Sequence, residues 1–272
     1  MPPTSYSSFP SLYNGTIAWS SNVDGDDEIY YWDGNTTHKI TDNTTNEGFP
    51  SLYDGTIAWA SNVDGNYEIY YWDGSTTHKI TDTSPEWSYN GFPSLYNGAI
   101  AWNGYSPDYN DGNHEIYYWD GNTRHKITAN DYSSYSASLY NGTIAWVSYL
   151  DGITGGSEIN YWDGNTTRKI VDYPTVAIGP MSQYNGTIAW SHHTVAGSSE
   201  IYYWDGNTTH KIVGYASARI NSLSLYNGTI AWSSDVDGDY EIYYWDGGDY
   251  LPVVESSIFI FMPAIIHGKR PD

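Results

Sequence analysis

Residues 16–34 read TIAWSSNVDGDDEIYYWDG, and this stretch determines the fold because it is repeated. Its first element, residues 16–19, recurs five times, and the recurring tryptophans are Trp59, Trp102, Trp146, Trp190 and Trp232. Its last element, Trp-Asp-Gly, begins at Trp32, Trp72, Trp119, Trp162, Trp204 and Trp245. Six copies of one unit therefore cover most of the chain, and a regular period of this length is the sequence signature of a repeat architecture.

Each unit reads as four short strands, here called A to D. In the first copy, strand A is predicted over 8–13, strand B over 16–20, strand C over 28–32 and strand D over 37–41. Asn14-Gly15 joins A to B, and Asn-Gly is a strong signal for a tight hairpin because both residues accept positive φ. No segment shows a helical period.

Strand C is apolar and aromatic on both faces, with no alternation. Such a strand is covered on both sides, as in a propeller blade that lies between two neighbouring blades. We therefore predict an all-β, six-bladed β-propeller of four-stranded antiparallel blades. The repeats are predicted at about 8–47, 48–90, 91–135, 136–180, 181–221 and 222–255.

Residues 1–255 form one domain on this prediction, and residues 256–272 form an apolar tail that adds one extra C-terminal strand. Blade one has its own strand A and blade six its own strand D. We therefore expect these two blades to pack directly on each other. The lysines of strand D are expected to protect the exposed edge of each blade.

The repeat resembles that of TolB-type propellers (WD40-like, PD40). The residues that carry the resemblance are Tyr53-Asp54-Gly55-Thr56-Ile57-Ala58-Trp59, Asp64-Gly65-Asn66-Tyr67-Glu68-Ile69-Tyr70 and Lys79-Ile80-Thr81. It departs from that pattern in three ways: Asn usually replaces Asp in the first turn, Trp replaces Phe in strand B, and the N-terminal domain of TolB is missing. The resemblance implies the propeller fold and an extracellular, cell-surface or periplasmic location. No signal peptide is visible in the chain.

The composition excludes several functions. The chain has 10 Lys and Arg against 32 Asp and Glu, a net charge of −22, which argues against a nucleic-acid partner. It has no Cys, which excludes disulfides and cysteine nucleophiles. No apolar run is long enough to span a membrane.

The sequence also contains no recognisable catalytic motif. A Gly-x-Ser-x-Gly elbow and a His-Glu-x-x-His zinc motif are both missing. The glutamate that opens strand C recurs in all six units, and a sixfold residue is expected to be structural. We therefore expect that the protein is not an enzyme.

The loops differ sharply between the two faces of the propeller. The A–B and C–D turns are nearly invariant, whereas the B–C and D–A loops vary in length and composition. We expect a ligand, a protein or a glycan, to bind at this variable face. The candidate residues are Trp87, Tyr89, Tyr105, Asp108, Tyr109, Tyr132, Tyr149, His192 and His193.

The B–C loops of three blades are rich in Asp and Gly. Closely spaced carboxylates suit Ca²⁺, although the same residues form ordinary tight turns. No other cofactor is expected. The candidate Ca²⁺ ligands are Asp24, Asp26, Asp64, Asp237 and Asp239.

The apolar tail must be covered, because an exposed strand of this kind promotes aggregation. It could pack on its own propeller, add to a neighbouring molecule through Ile258, Phe259, Ile260 and Phe261, or belong to a degenerate surface-sorting signal. Addition to a neighbour would build a homo-oligomer or filament. Three functions follow as expectations: a binding or scaffold propeller outside the cytoplasm, a lectin, or a self-assembling structural protein.

Overall fold

The computed structural model describes residues 6–23, 25–63, 65–83, 89–105, 113–129, 132–150, 156–194, 197–248 and 251–252. It contains six sheets of four antiparallel strands arranged in a ring, and its described residues include no helix. The predicted six-bladed propeller is therefore confirmed. Nor does the described part hold any helix with the length and apolarity to cross a membrane.

Each blade follows its strands A to D in chain order. The first three blades are β1 (Ser7–Tyr13), β2 (Thr16–Ser21), β3 (Glu28–Trp32), β4 (Thr37–Lys39); β5 (Glu47–Tyr53), β6 (Thr56–Ser61), β7 (Glu68–Trp72), β8 (Thr77–Lys79); and β9 (Tyr89–Tyr96), β10 (Ala99–Tyr105), β11 (Glu115–Trp119), β12 (Arg124–Lys126). The last three are β13 (Ser134–Tyr140), β14 (Thr143–Tyr149), β15 (Ser157–Trp162), β16 (Thr167–Tyr173); β17 (Ala177–Tyr184), β18 (Thr187–His193), β19 (Ser199–Trp204), β20 (Thr209–Tyr215); and β21 (Ile220–Tyr226), β22 (Thr229–Ser234), β23 (Glu241–Trp245), β24 (Leu251–Pro252).

The core lies between the blades, in separate layers. Between blades one and two, for example, Ala18 and Ile29 of one sheet pack against Ile57 and Trp59 of the next. The repeated small residue before the tryptophan lets the two sheets approach, and the indole fills the remaining space. This packing explains why strands B and C are apolar on both faces.

The A–B hairpins need positive φ, as the Asn-Gly signal predicts. Asn14 has a φ of 45° and Gly15 a φ of 83°. Blade two uses Asp54 at the same place, also with a φ of 45°.

The strand D lysines do more than line an edge. Lys39 lies 2.5 Å from Asp42, while Lys126 and Lys169 reach the buried strand C glutamates Glu115 and Glu158 at 3.0 and 2.5 Å. These glutamates therefore lie among polar partners and cations inside the blade, which compensates the cost of burying their charge.

Blades six and one cover each other less completely than the other neighbouring blades do. Ile242 of blade six is 38% exposed, although the same position is fully buried between the other blades. Near the axis, Tyr184 and, more weakly, Tyr13 raise the pKa of Tyr226.

Candidate binding site

Six aromatic side chains meet on the variable face, where blades two, three and four adjoin. We call them the aromatic cluster: Tyr67, Tyr89, Tyr105, His114, Tyr135 and Tyr149. His114 is at the centre. Its ring centroid lies 5.9 Å from that of Tyr89, 5.6 Å from that of Tyr105 and 4.6 Å from that of Tyr135.

The backbone explains why these rings converge. The residue that precedes strand C of one blade accepts a hydrogen bond from the start of strand A of the next. The Asn90 N–H donates to the Tyr67 carbonyl at 2.9 Å, and the Ser134 N–H donates to the His114 carbonyl at 2.7 Å. Each bond places a B–C loop residue of one blade beside a D–A residue of the next, so that their side chains meet.

A glycine makes room for one of the rings. A Cβ at Gly91 would collide with the hydroxyl and ring of Tyr89, so the Tyr89 side chain can fold back over strand β9 only because Gly91 has none. The opposite side of the cluster is open, since Tyr149 is 39% exposed.

The cluster is partly shielded from water, and burial changes its titration. Burial raises the pKa of Tyr89 to about 12, and burial also raises the pKa of Tyr149. Burial lowers the pKa of His114, so its imidazole is neutral at pH 7. The His114 Nδ1 atom is buried and has no hydrogen-bond partner among the described residues. The cluster thus offers ring faces and tyrosine hydroxyls to a ligand.

The structure brings three of the predicted site residues together, namely Tyr89, Tyr105 and Tyr149. Three others, Trp87, Asp108 and Tyr109, lie outside the described residues. Sequence reasoning missed Tyr67, His114 and Tyr135 as site residues. Tyr67 and His114 share the repeat position just before the strand C glutamate, and this position was the available signal.

His192 belongs to a separate polar network. It is 5% exposed, its Nε2 lies 2.9 Å from Glu200, and its ring packs on Tyr173 at 4.6 Å. Hydrogen bonds from the Lys211 ammonium above all, and also from Tyr202 and His192, lower the pKa of Glu200 to about 2, against the opposing effect of burial. This network compensates the charge of Glu200 inside blade five. It leaves little of the His192 surface accessible to a ligand.

The two other predicted residues, His193 and Tyr132, also have hydrogen-bond partners within the protein. His193 Nδ1 lies 2.7 Å from the Ser199 hydroxyl, but Ser199 is fully buried, so this pair is not placed to attack a substrate. The Tyr132 hydroxyl donates to Glu158 at 2.9 Å. The predicted set is therefore divided between the aromatic cluster and these internal hydrogen bonds.

The predicted calcium ligands are only partly described. Asp24 and Asp64 lie outside the described residues. Asp237 accepts a hydrogen bond from the Tyr243 hydroxyl at 2.8 Å, and no group of three metal-ligating side chains occurs in the ranges that the structure describes. The Ca²⁺ site remains a prediction. The self-association residues Ile258, Phe259, Ile260 and Phe261 also lie outside the described part.

The central channel has a second aromatic lining that the sequence analysis did not identify. Phe9, Phe49 and Phe92 line a cavity of about 430 Å³, and their tilted rings follow each other with centroids 4.4 and 4.1 Å apart. Each precedes a proline at a bulge of strand A and has positive φ, between 52° and 57°. At the A–B end of the channel, tyrosines at one repeat position follow each other at 4.5–4.6 Å: Tyr13, Tyr53, Tyr96, Tyr140, Tyr184 and Tyr226.

Comparison with known proteins supports the fold and no closer assignment. No family model and no curated protein matches the chain. Similar solved structures include an acylaminoacyl peptidase in complex with a chloromethyl ketone (TM-score 0.68, 13% identity) and an oligogalacturonate lyase in complex with manganese (TM-score 0.70, 12% identity). A prolyl endopeptidase aligns with a TM-score of 0.69 at 13% identity.

Each alignment covers 93% of this chain, but it covers 46% and 43% of the two peptidase chains and 79% of the lyase chain. The chain thus spans less than half the length of those peptidases. The structure is a six-bladed propeller, and its structural neighbours include peptidases.

The expectation that the protein is not an enzyme is contradicted by these comparisons, because the structures that share its fold are peptidases and a lyase. Sequence reasoning failed here because it searched this chain for complete catalytic motifs. The peptidase chains extend well beyond the part that this chain covers. At 12–13% identity, the likeness shows the fold and carries no activity over to this chain.

Proposed function

We propose that the protein is a binding propeller that holds a partner on its variable face, at the aromatic cluster. The single observation that supports this is the convergence of six aromatic side chains from three blades around His114. Exposed aromatic groups that cluster on one surface are typical of binding sites, since they bury a large area with little loss of side-chain entropy.

The charge of the chain narrows the choice of partner. A net charge of −22 repels polyanions at a distance, so a neutral or cationic partner is favoured over an acidic one.

A neutral glycan is the second candidate, and one observation favours it. Tyr135 and Tyr149 meet edge to face at 63°, and the 39% exposure of Tyr149 leaves ring surface open. A sugar can stack its C–H face on such a ring while the neighbouring hydroxyls take its polar groups.

We also propose that the repeats are related to those of TolB-type propellers and that the protein acts outside the cytoplasm. Both rest on the repeat residues of blade two, from Tyr53 to Thr81. The likeness to the acylaminoacyl peptidase and the lyase supports only the statement that this fold also occurs in enzymes.

The test is a binding survey on arrays of neutral and charged glycans and of cationic, neutral and acidic peptides. We expect binding to at least one neutral or cationic class, and loss of at least about tenfold in affinity for Tyr135→Ala/Tyr149→Ala. His125→Ala, an exposed substitution on the opposite face, is the matched control and should bind like the wild type. Equal binding by the double variant, or no binding to any class, contradicts the proposal.

A further inference from the structure

The five interfaces between consecutive blades show how deeply each repeat position is normally buried. The interface between blades six and one can be compared with them. In blades two to six the isoleucine of strand B is fully buried, and the tryptophan two residues later is at most 1% exposed. Ile17 and Trp19 hold these positions in blade one, and both are only partly buried. The face that blade one turns towards blade six is therefore incompletely covered.

The facing surface of blade six shows the same departure. The strand C isoleucine is fully buried in blades one to five, whereas Ile242 is 38% exposed. The strand B alanine is likewise fully buried in the first five blades, whereas Ala231 is only partly buried. Two surfaces that the repeat makes apolar for burial are thus incompletely covered by the residues that the structure describes.

A cleft of about 560 Å³ lies along this face of blade one and is lined by Ser7, Ser8, Pro10, Ile17, Trp19, Trp32 and Thr37. Most of its lining is apolar, and a cleft of this size can accept a further length of apolar chain.

We propose that the C-terminal segment 257–266 of the same chain fills this cleft. The segment reads SIFIFMPAII, and its apolar side chains match the apolar lining. It follows blade six directly, since the last described strand is β24. The four residues between, 253–256, can span about 13 Å when extended, which exceeds the roughly 10 Å between packed sheets.

The other terminal segment is less suitable. Residues 1–5 read MPPTS, with two prolines that lack a backbone donor and with little apolar surface. A tail attached to blade six is also present at a high effective concentration, which favours insertion in the same chain over capture of a tail from a second copy.

The inference is tested by photocrosslinking of the full chain with Phe259→p-benzoylphenylalanine, in a mixture of ordinary and ¹⁵N-labelled protein. We expect crosslinks within one chain to residues 7–37 of blade one or 220–248 of blade six. Crosslinks between the two isotopic forms would show insertion into a second copy. Crosslinks within one chain to the phenylalanines of the central channel or to blades two to five would show that the tail binds elsewhere on the propeller. Either result overturns the proposal.

A second measurement does not depend on the crosslinker. In the full-length Phe259→Asp/Phe261→Asp variant, we expect amide hydrogen exchange in β2 and β23 to become at least about tenfold faster. Exchange in β6 and β11 should stay unchanged. His267→Asp adds the same kind of charge just beyond the apolar segment and is the control. Equal exchange in β2 and β23 for both variants contradicts the proposal.

Discussion

The imidazole of His114 and the ring of Tyr135 lie 4.6 Å apart between their centroids, although the two residues belong to different blades. The hydrogen bond from the Ser134 N–H to the His114 carbonyl fixes this pairing through the backbone. The variable face therefore holds a site whose centre is set by the stacking of blades, while the surrounding loops are free to differ.

Replacement of His114 should separate packing from hydrogen bonding. His114→Ala removes a ring that touches Tyr89, Tyr105 and Tyr135, so we expect a loss of about 1–3 kcal/mol in the free energy of unfolding. His114→Phe keeps a ring and should lose less than about 1 kcal/mol, while it removes both ring nitrogens. Urea denaturation of the three proteins measures the difference, and equal losses would show that the ring does not pack as described.

Stability should depend on pH through Glu47. This side chain is 2% exposed, and burial raises its pKa to about 7, helped by the carboxylate of Glu28. The unfolded chain releases this proton near pH 4.5, whereas the folded chain holds it until about pH 7. The native state therefore loses stability as the pH rises through this window.

Glu47→Gln removes the titration. At the equivalent place in blade three, an amide already donates to the strand C glutamate, from Asn90 Nδ2 to Glu68 Oε2 at 3.1 Å. We expect the variant to gain up to about 3 kcal/mol on the wild type between pH 4 and pH 8. Asp54→Asn is the control, because it restores the turn residue of the other blades. A stability difference that does not change with pH would contradict the assignment.

The hydrogen bonds of the C–D turns to their aspartate carboxylates should persist at low pH. The Asp33 carboxylate lies 2.8 Å from His38 Nε2 and accepts backbone N–H bonds from Asn35 and Thr36. His38, followed by these N–H groups, lowers the pKa of Asp33 to about 2. The stabilisation is complete above the ordinary aspartate range and is lost as the pH falls through about 2.

His38→Ala should raise the pKa of Asp33 part of the way to its ordinary value, since the two N–H bonds remain. Carboxyl carbon titration by NMR measures this shift. Asp163 provides a comparison in the same spectrum, because its pKa is lowered by Thr166 and Asn165 without a histidine. An unchanged Asp33 pKa would show that the histidine contributes nothing.

The fold could be predicted because its determinants are local and repeated. Asn14-Gly15 specifies a hairpin, and an apolar strand such as 28–32 specifies a buried sheet, so six copies specify six blades. The incomplete contact at Ile242 could not be predicted in this way. Its sequence context is that of every other blade, and only the geometry of ring closure distinguishes it.

The site was predicted in part for a related reason. Tyr105 and Tyr149 lie in loops whose variation is visible in the sequence, and both belong to the cluster. His192 looked equally variable, but it is buried against Glu200. The partnership of His114 with Tyr135 depends on a hydrogen bond between blades, which no pattern within one repeat records.

Chemical-shift mapping of the ¹⁵N-labelled protein with the tightest ligand from the array survey tests the central claim most directly. We predict that the perturbed amides concentrate at the aromatic cluster, in the described stretches 65–67, 89–105, 113–115 and 132–149. Perturbations confined to the A–B and C–D turns, or to the phenylalanines that line the central channel, would contradict the assignment of binding to the variable face.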